Sequence, residues 1–251
     1  MSTDINVLRS MMNATRNRFG AASEIARQHL ADHEGYVSWS GGKDSTAVLL
    51  LAYEHDPEVP VVWFDSGCEF PENRDYIHGV AGSLGLNFHV IKAEPDAVTL
   101  LQSTGAWDHT APTIPAGLHE KVVLEPARKA RGMFPGGEMW GLRATESTAR
   151  KMLLSPGKGT FRRSDGTMVC SPIWDWKEDS DVESYILSRG VELNPVYAKL
   201  RSLGATGKDL RVGLMVDGSN VQFGRFTWLR RGWPEIYADL EQRLPRIKEW
   251  V

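Results

Sequence analysis

At 251 residues, the chain is long enough for one substantial α/β core with a smaller appendage and too short for several full domains. Its 41% hydrophobic and 24% charged residues exclude a disordered or fibrous chain. No apolar run approaches the roughly 18 residues of a membrane span, and no basic-then-apolar leader opens the chain, so a cytoplasmic protein without membrane contact is expected. The formal net charge of -3 decides little, but Gly141 to Arg231 holds 15 Lys and Arg against 10 Asp and Glu, a balance that suits an anionic ligand held from the C-terminal half.

Three regions follow in order: an N-terminal helical segment (1–34), an α/β domain (35–190) and a C-terminal helical or irregular region (191–251). In the first, Leu8, Met11, Met12, Phe19, Ile25 and Leu30 recur at roughly helical intervals. They predict one or two helices that lie outside the core or face a second copy of the chain in a homodimer. Tyr36-Val37-Ser38-Trp39 predicts a short strand and Ala47 to Tyr53 a helix. Val59 to Phe64 reads as a strand buried on both faces. Pro71 to Leu84 predicts a helix with proline in its first turn, Phe88 to Lys92 a strand, and Asp96 to Gln102 a short helix. Ser103 to Pro115 reads as a long, lid-like loop. Lys121 to Arg131 is expected to be helical, and Glu138 to Leu142 a strand delivering Arg143 and Glu146 to a loop. Thr160–Arg163 and Thr167–Cys170 predict a hairpin about Asp165-Gly166. Trp174 and Trp176 alternate as on a core strand, and Glu178–Ser188, Pro195–Leu203 and Pro234–Leu244 predict helices. Strands alternating with helices imply a doubly wound, mainly parallel, Rossmann-like sheet with its ligand outside the strand C-termini.

The chemistry is concentrated in Ser40-Gly41-Gly42-Lys43-Asp44-Ser45, placed between a strand and a helix. Two glycines allow a tight turn that aims backbone N–H groups one way, and the helix adds its positive end, together a phosphate nest. Ser40 and Ser45 add hydroxyls and Lys43 a mobile charge. Asp44 would repel phosphates unless a cation intervenes, so it is expected to serve Mg²⁺ directly or through water. The spacing is not that of a Walker A loop. Three further segments follow. Asp65-Ser66-Gly67 ends a strand where glycine permits close approach to a ligand, and Asp65 could bond ribose hydroxyls or an adenine amine. Gly141-Leu142-Arg143-Ala144-Thr145-Glu146 and Arg150 offer two guanidinium groups for phosphate or sulfate and a carboxylate to orient them. The last is Ser171 to Trp176, with Asp179, Asp181, Tyr185 and Asn194-Pro195-Val196-Tyr197 beyond it.

These four segments, taken from Ser40 to Tyr197, resemble the phosphoadenosine phosphosulfate (PAPS) reductase, or CysH-like, branch of the ATP pyrophosphatase superfamily. The resemblance implies the adenine nucleotide alpha hydrolase-like fold. It makes Ser40 to Ser45 the pyrophosphate loop, places Asp65, Ser66 and Gly67 in the adenosine pocket, with Ser66 where the family has threonine, and assigns Gly141, Arg143, Glu146 and Arg150 to the anionic end of the substrate. Lys43, Asp44, Arg143 and Glu146 are then the expected catalytic residues, with ATP or PAPS as substrate and Mg²⁺ as cofactor.

The chain departs from that family in its thiols. PAPS reductases carry a catalytic cysteine in a C-terminal motif, and the adenosine phosphosulfate enzymes add cysteines for an iron–sulfur cluster. Here only Cys68 and Cys170 occur, so no iron–sulfur cluster is expected. In the run Arg211 to Asp217, Leu214 and Asp217 stand where cysteines would. Cys170 reads as buried and inert; Cys68 follows Gly67 near the proposed pocket. The expected activity is therefore cleavage of ATP at the α-phosphate, giving AMP and pyrophosphate or an adenylylated acceptor, either a small molecule or a nucleic acid. The alternatives are a sulfonucleotide reductase with a non-standard or borrowed thiol, and a non-catalytic nucleotide-binding accessory protein. CysH-like proteins also occur beside type IV-B CRISPR and mobile-element genes, which extends the expectation to that setting.

Overall fold

In the computed structural model, residues 5–106, 108, 117–213 and 225–251 are described. Six strands form one sheet in the order β3-β2-β1-β4-β6-β5. β1 (Gly35–Ser38), β2 (Val61–Asp65), β3 (Phe88–Lys92), β4 (Gly137–Met139) and β6 (Met168–Cys170) run parallel, and only the edge strand β5 (Thr160–Arg162) is antiparallel, paired with β6 as the Asp165-Gly166 turn implies. The chain moves from β1 outward to β3 and then returns to the other side of β1 at β4. This reversal leaves a crevice beyond the C-terminal ends of β1 and β4.

The helices are α1 (Ile5–Asp32), α2 (Lys43–Tyr53), α3 (Pro71–Leu84), α4 (Ala97–Ser103), α5 (Glu125–Met133), α6 (Thr148–Leu154), α7 (Asp179–Ser188), α8 (Pro195–Ser202), α9 (Arg225–Gly232) and α10 (Pro234–Arg243). α2 is the central one. Its residues from Ser45 to Ala52 are all buried, as expected of a helix that is apolar all round. The main core joins them to Val37, Trp39, Val61 and Trp63 of the first two strands and to Val182, Tyr185 and Ile186 of α7, with Ala22 and Ala26 of α1 on the outside. On the opposite face of the sheet, Tyr36, Val62 and Ile91 pack with Ala130 of α5. A separate apolar core joins Cys68, Phe70 and α4 to α8, α9 and α10. The C-terminal helices therefore build on the segment that follows β2.

Three expectations are corrected. Trp174 and Trp176 lie in a turn rather than on a strand, yet Trp176 is fully buried against Phe19 and Tyr185, so its place in the core stands. β4 stops at Met139, short of Leu142, because Gly141 runs over the start of α2, where a Cβ would lie 2.4 Å from the Ser45 nitrogen. The following segment is not simply a loop: a 3-10 turn (Ala144–Glu146) leads into α6. Within the lid-like stretch Ser103–Pro115, residues 107 and 109–115 lie outside the described residues, as do Leu214 to Asp217.

Candidate active site

β1 ends at Ser38, and α2 begins only a few residues later, at Lys43. The intervening turn depends on Gly41, whose φ is +76° and whose Cβ would fall 2.3 Å from Asn73 Oδ1; a left-handed backbone and close contact both require glycine there. The turn is fastened from three directions. Ser45 Oγ donates to the Gly42 carbonyl at 3.0 Å and accepts from the Ser40 N–H at 3.2 Å. Asn73 of α3 donates to the Ser40 carbonyl at 3.3 Å. Asn194, just before α8, donates to the Gly41 carbonyl at 3.0 Å and to Asn73 Oδ1 at 2.7 Å.

The first turn of α2 points into the crevice, as does the segment after β4. Ser40, Gly42, Lys43, Asp44, Ser45, Gly141, Arg143, Glu146 and Arg150 line one cleft of about 680 Å³. Nine of the thirteen sequence-derived site residues thus meet in one place. Gly41 lies beneath the turn. Asp65, Ser66 and Gly67 do not line this cleft: the Asp65 carboxylate is buried at the end of β2, where it accepts from the Gly67 N–H at 2.9 Å and pairs with Arg74 at 3.3 Å.

Four charges close on one another at the centre. Asp44 Oδ2 lies 2.7 Å from Lys43 Nζ and its Oδ1 2.7 Å from Arg143 Nε. The second contact is a close approach of charges without hydrogen-bond alignment, since neither atom has a hydrogen-bond partner. Asp179, in the first turn of α7, places Oδ1 2.5 Å from an Arg143 terminal nitrogen and 3.3 Å from Lys43 Nζ. Burial opposes charge on Arg143, but Asp44 and Asp179 outweigh it and raise its pKa further. Burial likewise opposes charge on Asp179, and Lys43 and Arg143 outweigh it and lower its pKa. Glu146 accepts from the Arg143 N–H at 3.0 Å and pairs with Arg150, a reciprocal clamp on the 3-10 turn.

The expected Mg²⁺ role of Asp44 is not shown in this arrangement. Both of its oxygens face cations, and among the described residues no group of three His, Cys, Asp or Glu could hold a metal. Here Asp44 is the counter-ion between Lys43 and Arg143.

Asp179, Lys177 and Tyr197 also line the cleft, and sequence reasoning did not place them in the site. Asp179 and Tyr197 were visible only as members of the fourth segment, without a site role; in that segment Asn194 caps α8 by accepting from the Val196 N–H at 3.0 Å. Neither cysteine lines the cleft. Cys68 is buried in the C-terminal core, and Cys170 is fully buried, its thiol pushed up to about 12 by burial. Beside Cys68, burial pushes the Glu69 carboxyl up to about 7, against hydrogen bonds from Ser66 and Asn73.

A glycine-rich turn at the switch point of a mainly parallel sheet, opening a buried helix, defines a doubly wound α/β protein whose ligand crevice lies outside the strand C-termini. Within that class the chain belongs to the phosphoadenosine phosphosulfate reductase domain family, whose match spans residues 34–208. The phosphoadenosine 5'-phosphosulfate reductase of Serratia proteamaculans is 28% identical over 179 residues, covering 69% of each chain. The crystal structure of PAPS reductase from Candida auris, a phosphate complex, superposes with a TM-score of 0.59 at 19% identity, covering 77% of this chain and 88% of that one. FMN adenylyltransferase of Candida glabrata, in complex with FAD and inorganic pyrophosphate, gives a TM-score of 0.51 at 15% identity, covering 74% and 61%. These similarities support the family and fold and do not support a CRISPR association. Among the described residues no helix is long and apolar enough to cross a membrane.

Proposed function

We propose that the cleft binds the phosphate chain of an adenine nucleotide and that the chain cleaves ATP at the α-phosphate, releasing pyrophosphate. The carrying observation is that the Ser40–Ser45 turn and the Arg143–Arg150 segment share one cleft from which both thiols are absent. Lys43 Nζ and the positive N-terminal end of α2 hold the β- and γ-phosphates, and Arg143 and Arg150 face the α-phosphate. An acceptor oxygen attacks the α-phosphorus, the bond to the bridging oxygen breaks, and pyrophosphate leaves with that electron pair. The acceptor's proton passes to solvent. With water as acceptor the products are AMP and pyrophosphate; with another hydroxyl or carboxylate the product is an adenylate. The adenosine half is assigned to the side of Asp65, Ser66 and Gly67.

A second reading is favoured by the reductase relatives: PAPS occupies the same cleft, a thiolate of another molecule attacks its sulfonyl sulfur, the S–O bond to the phosphate breaks and adenosine 3',5'-bisphosphate leaves with that electron pair, and a second thiol then displaces sulfite as the two thiols become a disulfide. The two readings separate on turnover of α-labelled ATP and of PAPS with added thiol, each with Mg²⁺ and with chelator, for wild type and Asp44→Ala. AMP and pyrophosphate from ATP that disappear in the variant support the first reading. Sulfite from PAPS, with ATP untouched, replaces it by the second.

A further inference from the structure

We propose that Asp179 is an anion placeholder: its Oδ1, shared between Arg143 and Lys43, stands where an oxygen of the ligand's phosphate or sulfate group binds, and ligand entry exchanges one anion for the other. This rests on the reading of the cleft as the seat of a nucleotide's anionic end. It makes Asp179 a residue that sets specificity without touching the reacting atoms.

The two carboxylates at the centre are not equivalent. Asp44 is fixed in the first turn of the buried α2, its side chain is 16% exposed, and each of its oxygens meets a different cation. Removing it would release Lys43 from Arg143 and leave the Arg143 Nε without its nearest counter-charge. Asp179 differs in exposure and in how it shares its oxygens. Its side chain is 53% exposed, and one oxygen serves both cations, at 2.5 Å and 3.3 Å. A single oxygen between a guanidinium and an ammonium is also what a phosphoryl or sulfuryl group presents to such a pair.

Charge completes the inference. With Asp179 in place, Lys43 and Arg143 are balanced by two carboxylates, and Arg150 is balanced by Glu146. The four charges at the centre then sum to zero. With Asp179 turned to solvent, the Lys43, Asp44 and Arg143 group gains a unit of positive charge facing the first turn of α2. Because Asp179 is half in water already, turning it outward leaves its own carboxylate solvated, and the ligand's anion takes over its place beside Arg143 and Lys43. A multiply charged phosphate recovers more than this from Arg143, Lys43 and the helix N-terminus. A singly charged carboxylate only replaces like with like, so the exchange selects against it.

The test is calorimetric titration of inorganic pyrophosphate into wild type, Asp179→Asn and Asp179→Ala at fixed pH and ionic strength without divalent cations. Asn keeps the size of Asp179 and an acceptor for Arg143 while removing the competing charge. Both variants should bind pyrophosphate about fivefold or more tightly than wild type, the effect expected for losing one partly screened like charge, and the gain should shrink at high salt. Binding by the Asn variant alone, with none by wild type, supports the proposal in stronger form. If wild type binds and the folded variants bind equally or more weakly, the placeholder falls and the nucleotide cleft stands. Absence of binding in all three proteins removes the cleft reading and the placeholder together. Failure of both variants to fold, seen in thermal melts, would make Asp179 a structural residue and also overturn the proposal.

Discussion

The phenol oxygen of Tyr197 accepts the backbone N–H of Lys43 at 2.9 Å. An N–H in the first turn of a helix has no acceptor within that helix, so α8 supplies from the far end of the family domain what α2 lacks. The phosphate turn is thereby tied to a helix that follows the whole sheet, and its geometry depends on the fold being complete.

Tyr197→Phe removes only this acceptor. The variant should lose about 1 kcal/mol of unfolding free energy, the usual net value of one such bond, measured by urea denaturation. Tyr197→Ala also deletes a ring that is 5% exposed and should cost about 3–5 kcal/mol. Equal stability of wild type and the Phe variant would show that water serves the Lys43 N–H equally well.

Asn194 carries more of the turn. It is buried, and its carboxamide serves the Val196 N–H, the Gly41 carbonyl and Asn73 Oδ1. Asn194→Asp keeps the shape and reverses the electrostatics, because an acceptor then faces two acceptors. It should destabilise the protein by about 2–3 kcal/mol and weaken pyrophosphate binding in calorimetry. Asn194→Ala should lose the cap of α8 as well. An Asp variant that binds pyrophosphate as wild type does would detach this residue from the phosphate turn.

Much of this was legible in the sequence. The continuous apolar run before Asp65 gave β2, and Pro71 marked the start of α3. The Ser40–Ser45 turn was legible as a phosphate nest because its glycine pair falls between a strand and a helix. Asp179 was not legible as a site residue. An acid in the first turn of a helix is ordinary, and only the packing of α7 against α2 brings it to Lys43. α9 went unread because Phe226 and Leu229, its buried pair, are too few to establish a period. Trp174 and Trp176 misled for a related reason, since alternation over two positions fits a turn as well as a strand.

The thiols give a direct check on the reductase alternative. Cys68 and Cys170 are both buried and not disulfide-bonded, and the raised pKa of Cys170 leaves it a thiol at neutral pH. Reaction with a thiol reagent such as Ellman's should release no chromophore on the assay timescale from the folded protein and two equivalents per chain after denaturation, matching the two cysteines. Rapid labelling of Cys68 in the native state, slowed by nucleotide, would restore it as a candidate nucleophile.

His29 and Glu69 impose opposite pH slopes on stability. Burial, with the His33 charge adding to it, lowers His29 from 6.5 to about 4. The unfolded chain then binds the extra proton first, so this contribution is intact above pH 6.5 and is lost as pH falls toward 4. Burial raises Glu69 from 4.5 to about 7. Here the folded chain holds the proton longer, so stability is intact below pH 4.5 and is lost as pH rises toward 7. Each effect is on the order of 2 kcal/mol after allowance for solvent screening, and between pH 4.5 and 6.5 they offset one another. Urea denaturation across this range should separate them. Relative to wild type, Glu69→Gln should lose stability as pH falls from 6.5, because only the histidine slope is left. His29→Leu should lose it as pH rises from 4.5 to 7, the carboxyl slope alone. Stability curves for the two variants that run parallel to wild type would mean that neither group changes its affinity for protons on folding.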